Sequence, residues 1–222
     1  MKSRAVSAAA LVVLCASGVA SAQFGPNLLN NAGFESPLGF DFSNLSNWNG
    51  FFGGPGGTFL QAFNDTGAAP RTGAQALVTT IRGVPGVTDG FNAFTGHVQF
   101  VFDIVPGATY EISVWARTNP FIMDNAEFRV EWQNAGGGEI SRLNTVITSG
   151  LTGEYQQFSF TDTAPAGAFR AGIVFAVESF NHRGVIADTS VAWDDASFRT
   201  IPAPSAAALL AIGGLFAGRR RR

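Results

Sequence analysis

Apolar and polar residues alternate along most of the chain. Val98, Phe100, Phe102 and Ile104 share one face of an extended segment, with Gln99 and Asp103 on the other. Tyr110, Ile112, Val114 and Ala116 alternate with Glu111, Ser113, Trp115 and Arg117. Phe128, Val130 and Trp132 alternate with Glu127, Arg129, Glu131 and Gln133. The same period runs through residues 155–161, and through 171–178 around Ile173, Phe175 and Val177. Period two with one apolar face predicts half-buried strands of an antiparallel sheet, and no stretch of the body sustains a helical period. Turn residues separate the runs at Val105-Pro106-Gly107, Gly136-Gly137-Gly138, Ser149-Gly150, Thr152-Gly153 and Ala164-Pro165-Ala166-Gly167. Roughly eight to ten such strands predict an all-β fold, an antiparallel two-sheet β-sandwich or jelly roll. The chain's 21 phenylalanines are expected to fill its core.

Both ends break the pattern. Met1-Lys2-Ser3-Arg4 leads into an apolar stretch from Ala5 to Ala20, closed by Ala20-Ser21-Ala22. A basic start, a hydrophobic core and small residues at the junction are the parts of a secretory signal peptide. The stretch falls short of the roughly 20 residues that a retained span needs. Cleavage after Ala22 makes Gln23 the first mature residue and removes Cys15, the one cysteine. Leu14 before it is too large for a lipoprotein site. The mature chain, residues 23–200, must then be held together by its core and not by disulfides. At the other end, residues 201–222, Pro202-Ala203-Pro204 precedes an uncharged stretch from Ala206 to Gly218 and then Arg219, Arg220, Arg221 and Arg222. As a helix that stretch rises only about 20 Å against roughly 30 Å of hydrocarbon. The arginines keep its end on the cytoplasmic side.

This tail resembles the PEP-CTERM sorting signal, which joins a proline-bounded motif, a short hydrophobic helix and a terminal arginine cluster. The resemblance implies export through the Sec machinery and transient anchoring in the inner membrane. Cleavage by an exosortase-like enzyme would follow, with delivery to the cell surface or extracellular matrix. The sequence departs from the pattern at Ala203, where a glutamate is usual. A simple C-terminal tail anchor is the alternative.

Removing both ends changes the charge. Two basic residues leave with the signal and four with the tail, so 8 of 14 remain against all 16 acidic residues, a balance of 8 − 16 = −8. An acidic body without lysine argues against nucleic acid or an anionic membrane as partner. Its length suits one domain.

Four segments of that body resemble carbohydrate-binding modules of the family 4/9 type and galactose-binding-like jelly rolls generally. They are Asn27-Leu28-Leu29-Asn30-Asn31-Ala32-Gly33-Phe34-Glu35 as an opening strand, Arg71-Thr72-Gly73-Ala74-Gln75-Ala76-Leu77, Val105-Pro106-Gly107-Ala108-Thr109-Tyr110, and the closing Val191-Ala192-Trp193-Asp194-Asp195-Ala196-Ser197-Phe198. The resemblance implies a structural Ca²⁺ where the first and last strands meet. Glu35, Asp194 and Asp195 match its carboxylates, and backbone carbonyls near Gly33 and Gln75 would complete the shell. Adjacent strand residues face opposite ways, so only one aspartate is expected to reach the ion. The other reading has these carboxylates capping strand ends or pairing with arginines.

For a glycan ligand, the informative residue is the aromatic on the polar face. Trp115 shares its face with Arg117, and an indole beside a guanidinium suits a sugar ring. Gln99, Arg129 and Glu131 are placed on neighbouring strands of that face as a polar groove. The competing reading packs Trp115 under loops. Trp48 is expected in the core. Phe51 and Phe52, before a glycine run, form either an aromatic lip or a buried pair.

Catalysis has little support. His97 and His182 lack metal-ligand spacing, and no Gly-x-Ser-x-Gly elbow or mature cysteine is present. Glu127 and Glu131 lie about 13 Å apart along one strand, too far for a carboxylate pair by themselves. The expectation is a non-catalytic, carbohydrate-binding-like surface protein with a polysaccharide or exopolysaccharide matrix as partner. Its competitors are a structural or adhesive protein without a sugar site and a small glycan-active jelly-roll enzyme.

Overall fold

The computed structural model describes residues 24–36, 46–53, 60–65, 69–81, 91–118, 125–182 and 189–202. The proposed signal peptide lies outside them, as do Ala203, Pro204 and Arg219 to Arg222 of the tail; Pro202 is the last residue described. Among the described residues no helix is long and apolar enough to cross a membrane.

Ten strands follow in chain order: β1 (Asn49–Gly53), β2 (Leu60–Asp65), β3 (Ala76–Ile81), β4 (Phe91–Phe102), β5 (Thr109–Thr118), β6 (Asn125–Gln133), β7 (Glu139–Val146), β8 (Gln156–Thr163), β9 (Arg170–His182) and β10 (Thr189–Ile201). They form two five-stranded sheets, a front sheet ordered β1-β4-β9-β6-β7 and a back sheet ordered β2-β3-β10-β5-β8. Every pairing is antiparallel. The alternation predicted for β5, β6, β8 and β9 runs in the expected phase. Tyr110, Ile112, Val114 and Ala116 of β5 and Phe128, Val130 and Trp132 of β6 are buried. Ile173, Phe175 and Val177 of β9 join them in one core.

That core is aromatic, and Phe34, Phe128, Phe175 and Phe198 are fully buried in it. Trp48, Trp132, Trp193 and Tyr110 are its largest fully buried side chains. Trp48 packs 5.3 Å from Phe175 of the front sheet, which stacks 5.4 Å from Trp193 of the back sheet. Tyr110 stacks 4.9 Å from Phe198 and lies 5.6 Å from Trp132, a second bridge between the sheets. Each of the three indole N–H groups donates a hydrogen bond: Trp48 to the Asn31 carbonyl, Trp132 to Asp162 and Trp193 to Thr79. Large rings with satisfied polar edges give a cysteine-free sandwich its burial without orphaned donors.

β4 reverses the expected polarity. Thr95, His97, Gln99 and Val101 point into the sandwich, whereas Phe94 and Phe102 are exposed and Val98 and Phe100 half-buried on the outer surface. The reason lies in the first described segment. The Gln99 side chain accepts from the Asn30 N–H at 2.7 Å and donates to the Asn30 carbonyl at 2.9 Å. One amide thus satisfies a backbone pair that would otherwise be orphaned. The same segment runs beside β10, with bonds from Gly25 to Thr200 and from Leu28 to Phe198, as an extended tether in place of a true opening strand. It ties the two sheets at their shared edge.

His97 carries a measurable consequence. It is fully buried, neither ring nitrogen finds a partner among the described residues, and burial pushes its pKa down to about 3. In the unfolded chain the ring titrates near 6.5. Between those values the unfolded state binds more protons, so stability is full above about pH 6.5 and falls as pH drops, by up to about 4–5 kcal/mol. Urea midpoints measured from pH 7 to pH 3.5 are expected to fall steadily. His97→Leu should flatten that fall, and an identical acid limb in the variant would assign it to another group.

Candidate functional site

The outward phase of β4 builds a groove on the front sheet. Cross-strand partners share a face, so the register lays out its rows. Phe51 of β1 lies opposite Gly96 of β4, then Ala176 of β9, then Glu127 of β6. The next row runs Val98, Val174, Arg129 and Asn144, and the next Phe100, Gly172, Glu131 and Arg142. Phe51, Val98 and Phe100 form one wall, Val174 the floor, and Arg129 and Glu131 the other wall of a cavity of about 210 Å³.

Two glycines keep the floor low. A Cβ on Gly96 would come within 2.7 Å of the Phe51 ring and 2.5 Å of the Phe175 carbonyl, so that position admits no side chain. A Cβ on Gly172 would sit 3.3 Å from the Phe100 ring and 3.5 Å from the Glu131 carboxylate. Over Gly172 an aromatic edge and a carboxylate therefore converge.

The polar wall is organised by one guanidinium. Arg129 donates to Glu127, to Glu131 at 2.8 Å and to Glu178 of β9 at 2.9 Å. Arg142 bonds Glu139 and reaches Glu131 at 3.8 Å. Burial pushes the Glu127 carboxyl above its ordinary range; the bond to Arg129 opposes this and the charge of Glu178 adds to it. On the aromatic side, the Arg170 guanidinium lies 4.6 Å from the Phe100 ring and donates to Gln133.

The expected site residues divide among three places. Arg129 and Glu131 line the groove. Gln99 does not, because its side chain points inward to Asn30. Trp115 and Arg117 lie on the outer face of β5, in the back sheet. The Arg71 guanidinium sits 3.8 Å over the Trp115 ring, and Arg117 donates to the Ala69 carbonyl at 3.1 Å. Both therefore pack under the 69–75 loop, the second of the two readings offered for Trp115, and the single groove drawn through all five residues does not form. Trp48 is core, Phe51 is groove wall and Phe52 is exposed. Val98 and Phe100 were missed because they sit in a run that reads as core-facing, and Val174 because a lone valine in the outward phase of β9 carries no polar signal.

The carboxylates matched to calcium meet hydrogen-bond donors. Glu35 accepts from the Ala74 N–H at 3.0 Å. Asp194 accepts from the N–H groups of Arg71 and Thr72 at 2.8 and 3.1 Å, and burial pushes its pKa up. Asp195 accepts from the Arg71 guanidinium and the Thr72 hydroxyl. A β-bulge between Asp194 and Ser197, with Asp195 at φ 45°, turns both aspartates toward the same loop. That corrects the expectation that adjacent residues must diverge, since a bulge breaks strict alternation. Among the described residues no three His, Cys, Asp or Glu side chains gather as a metal site. The residues fit a cation only if Arg71 and Thr72 are displaced, so no role here is routed through calcium.

No family model matches the chain, and no curated relative does. Its fold is a jelly-roll β-sandwich of the kind found in carbohydrate-binding modules. Among solved structures it is similar to a CBM22-1 xylan-binding domain from Paenibacillus barcinonensis, at 16% identity over 82% of this chain and 99% of that one, with a TM-score of 0.50. It is also similar to the enzymatically active domain of tailspike protein 4 from bacteriophage CBA120, at 18% identity, 79% coverage and a TM-score of 0.56. An arabinose-bound α-L-arabinofuranosidase matches at 16% identity over 81% of this chain, TM-score 0.51. The chain spans 21% of the tailspike structure and 27% of the arabinofuranosidase. At these identities the likeness is one of fold.

The loop corner yields a direct test. Arg71→Ala removes both the Asp195 ion pair and the cover on Trp115, both partly exposed, and is expected to cost about 1 kcal/mol or less. Thermal melts with EDTA and with added Ca²⁺ should superimpose for the wild type. A rise of several degrees on adding Ca²⁺ would mean that the ion displaces the guanidinium.

Proposed function

We propose that this domain is a non-catalytic module that binds a polysaccharide chain in the front-sheet groove. The observation that carries the reading is the outward aromatic face of β4. Phe51, Val98 and Phe100 stand across a glycine- and valine-floored channel from Arg129 and Glu131. An apolar wall suits the C–H face of a sugar ring, and a facing row of fixed polar groups suits its hydroxyls. Phe94 and Phe102 lie exposed on either side of the half-buried Phe100 along the outward row of β4, an apolar surface costly to keep in water, which favours one kept for a partner. A fold shared with a xylan-binding domain supports the same reading. Glu127 and Glu131 both bond Arg129. That arrangement supports binding over glycoside hydrolysis, which needs two carboxyl groups free to flank a bond.

The wild-type protein is expected to be retarded in affinity gels containing its polysaccharide. Phe100→Ala should weaken that retention at least about tenfold, the usual scale for losing a well-placed aromatic contact. Trp115→Ala should leave it intact. Loss in Trp115→Ala with none in Phe100→Ala would move the site to the back sheet. Retention by no polysaccharide, or release of new reducing ends from one, would end the reading.

We further propose that the domain works outside the cell, cut after Ala22 and held or released through its C-terminal tail. The support is the order of signal, body, proline motif, apolar stretch and arginine block in the sequence. The intact mass of the protein from native cells reports both cuts. It is expected to begin at Gln23 and to end near Pro204, and a chain ending at Arg222 would make the tail a permanent anchor.

A further inference from the structure

The charge in the groove is unbalanced, and the imbalance names a ligand. Three carboxylates, from Glu127, Glu131 and Glu178, share the single guanidinium of Arg129. Arg142 does not correct this, because it is bound to Glu139 and reaches Glu131 only at 3.8 Å. Counting Glu139, Arg142 and also Arg170, which lies 4.6 Å from the Phe100 ring, four carboxylates stand against three guanidiniums, 3 − 4 = −1. The cluster around Arg129 is also largely desolvated: the side chains of Glu127, Arg129, Glu131 and Glu178 are 5%, 11%, 14% and 17% exposed. Arg129 has turned its donors to these neighbours, so an acidic sugar entering the groove meets surplus carboxylate, with Arg170 held between the Phe100 ring and Gln133. A neutral sugar finds the stacking surface and nothing for the charge.

A cationic sugar meets both. The Arg129 guanidinium already lies 6.0 Å from the Phe51 ring, so the aromatic wall and the anionic wall are close enough to face one small cation together. Over Gly172, the Phe100 ring edge and a Glu131 oxygen approach the same point, 3.3 and 3.5 Å from where a Cβ would stand. An ammonium on a sugar ring there is within reach of a carboxylate while the ring's C–H face covers the phenyl group. Resting on the reading that this groove is the glycan site, we propose that it selects an amino-bearing glycan, a chain of 2-amino-2-deoxy sugars with free amines, whose ammonium groups meet Glu131 and Glu178 while the C–H side of the sugar rests on the aromatic wall.

The test uses four hexasaccharides: the β-1,4-linked glucosamine hexamer, its fully N-acetylated form, cellohexaose and hexagalacturonate. Calorimetric titration of the whole mature protein, below the pH at which the amine loses its proton, is expected to rank the glucosamine hexamer first. Its margin over the acetylated and neutral chains should be about tenfold or more, and should shrink in high salt as ion-pair contributions do. Hexagalacturonate should bind weakest. Glu178→Gln, with Glu131→Gln as a second variant if the first is unfolded by circular dichroism, should bring the amine-to-acetamide ratio toward one. Equal or tighter binding of cellohexaose or the acetylated chain would overturn the amine preference while leaving the glycan reading in place. Binding of none of the four, with another polysaccharide retained in gels, would do the same. Absence of any polysaccharide binding would overturn both.

Discussion

The exchange of hydrogen bonds between the Gln99 side chain and the Asn30 backbone determines more of this molecule than its size suggests. It places a polar side chain inside the sandwich at mid-strand and holds the first described segment against the front sheet. Because strand residues alternate, an inward Gln99 obliges Val98 and Phe100 to face out. A one-residue slip of β4 would bury the phenylalanines and strand the glutamine in solvent. It would also break the rows that set Phe51 opposite Gly96 and Val98 opposite Val174. The groove is thus a consequence of how the chain's beginning is tied down.

On the facing strand the constraint is electrostatic. Glu127, Arg129 and Glu131 occupy successive outward positions of β6, and Glu178 reaches in from β9. Buried ion pairs gain little over apolar packing, and their value lies in the geometry they impose. Here that geometry is a rigid polar wall whose side chains are already committed to one another. The aromatic wall owes its form to packing, the polar wall to charge, and the two meet across a floor of small residues.

Much of the fold was legible because alternation on β5, β6 and β9 and the turns between strands obey local rules that neighbours did not override. Of the rings that close the core, Tyr110, Trp193 and Phe198 lie in the motifs that carried the family resemblance. β4 was misread for a physical reason. Alternation reports which side chains share a face, and not which face meets the core, and a strand carrying aromatics outward has the same period as one carrying them inward. Sheet membership was equally out of reach. Trp115 and Arg129 occupy similar polar phases on β5 and β6, yet the order of strands puts them on opposite surfaces of the sandwich. The double aspartate misled because a bulge at Asp195 adds a residue that strict period two does not count. Arg129 and Glu131 were expected on the face of Trp115, and they line a groove on the other sheet, because alternation along β6 does not say which strands lie beside it.

The low floor also bears on substitution. At Gly172 the space above the backbone is bounded by Phe100 and Glu131, the two groups with most to say about what enters. A single methyl group there would press on the Phe100 ring and come into contact with Val98 and the Glu131 carboxylate, while the sheet's hydrogen bonds stayed in place. Gly96 offers no such latitude, because its neighbour on one side is the backbone of β9. Substitution can therefore reshape the channel at Gly172, whereas Gly96 is held to glycine by the backbone beside it and keeps the register of the sheet.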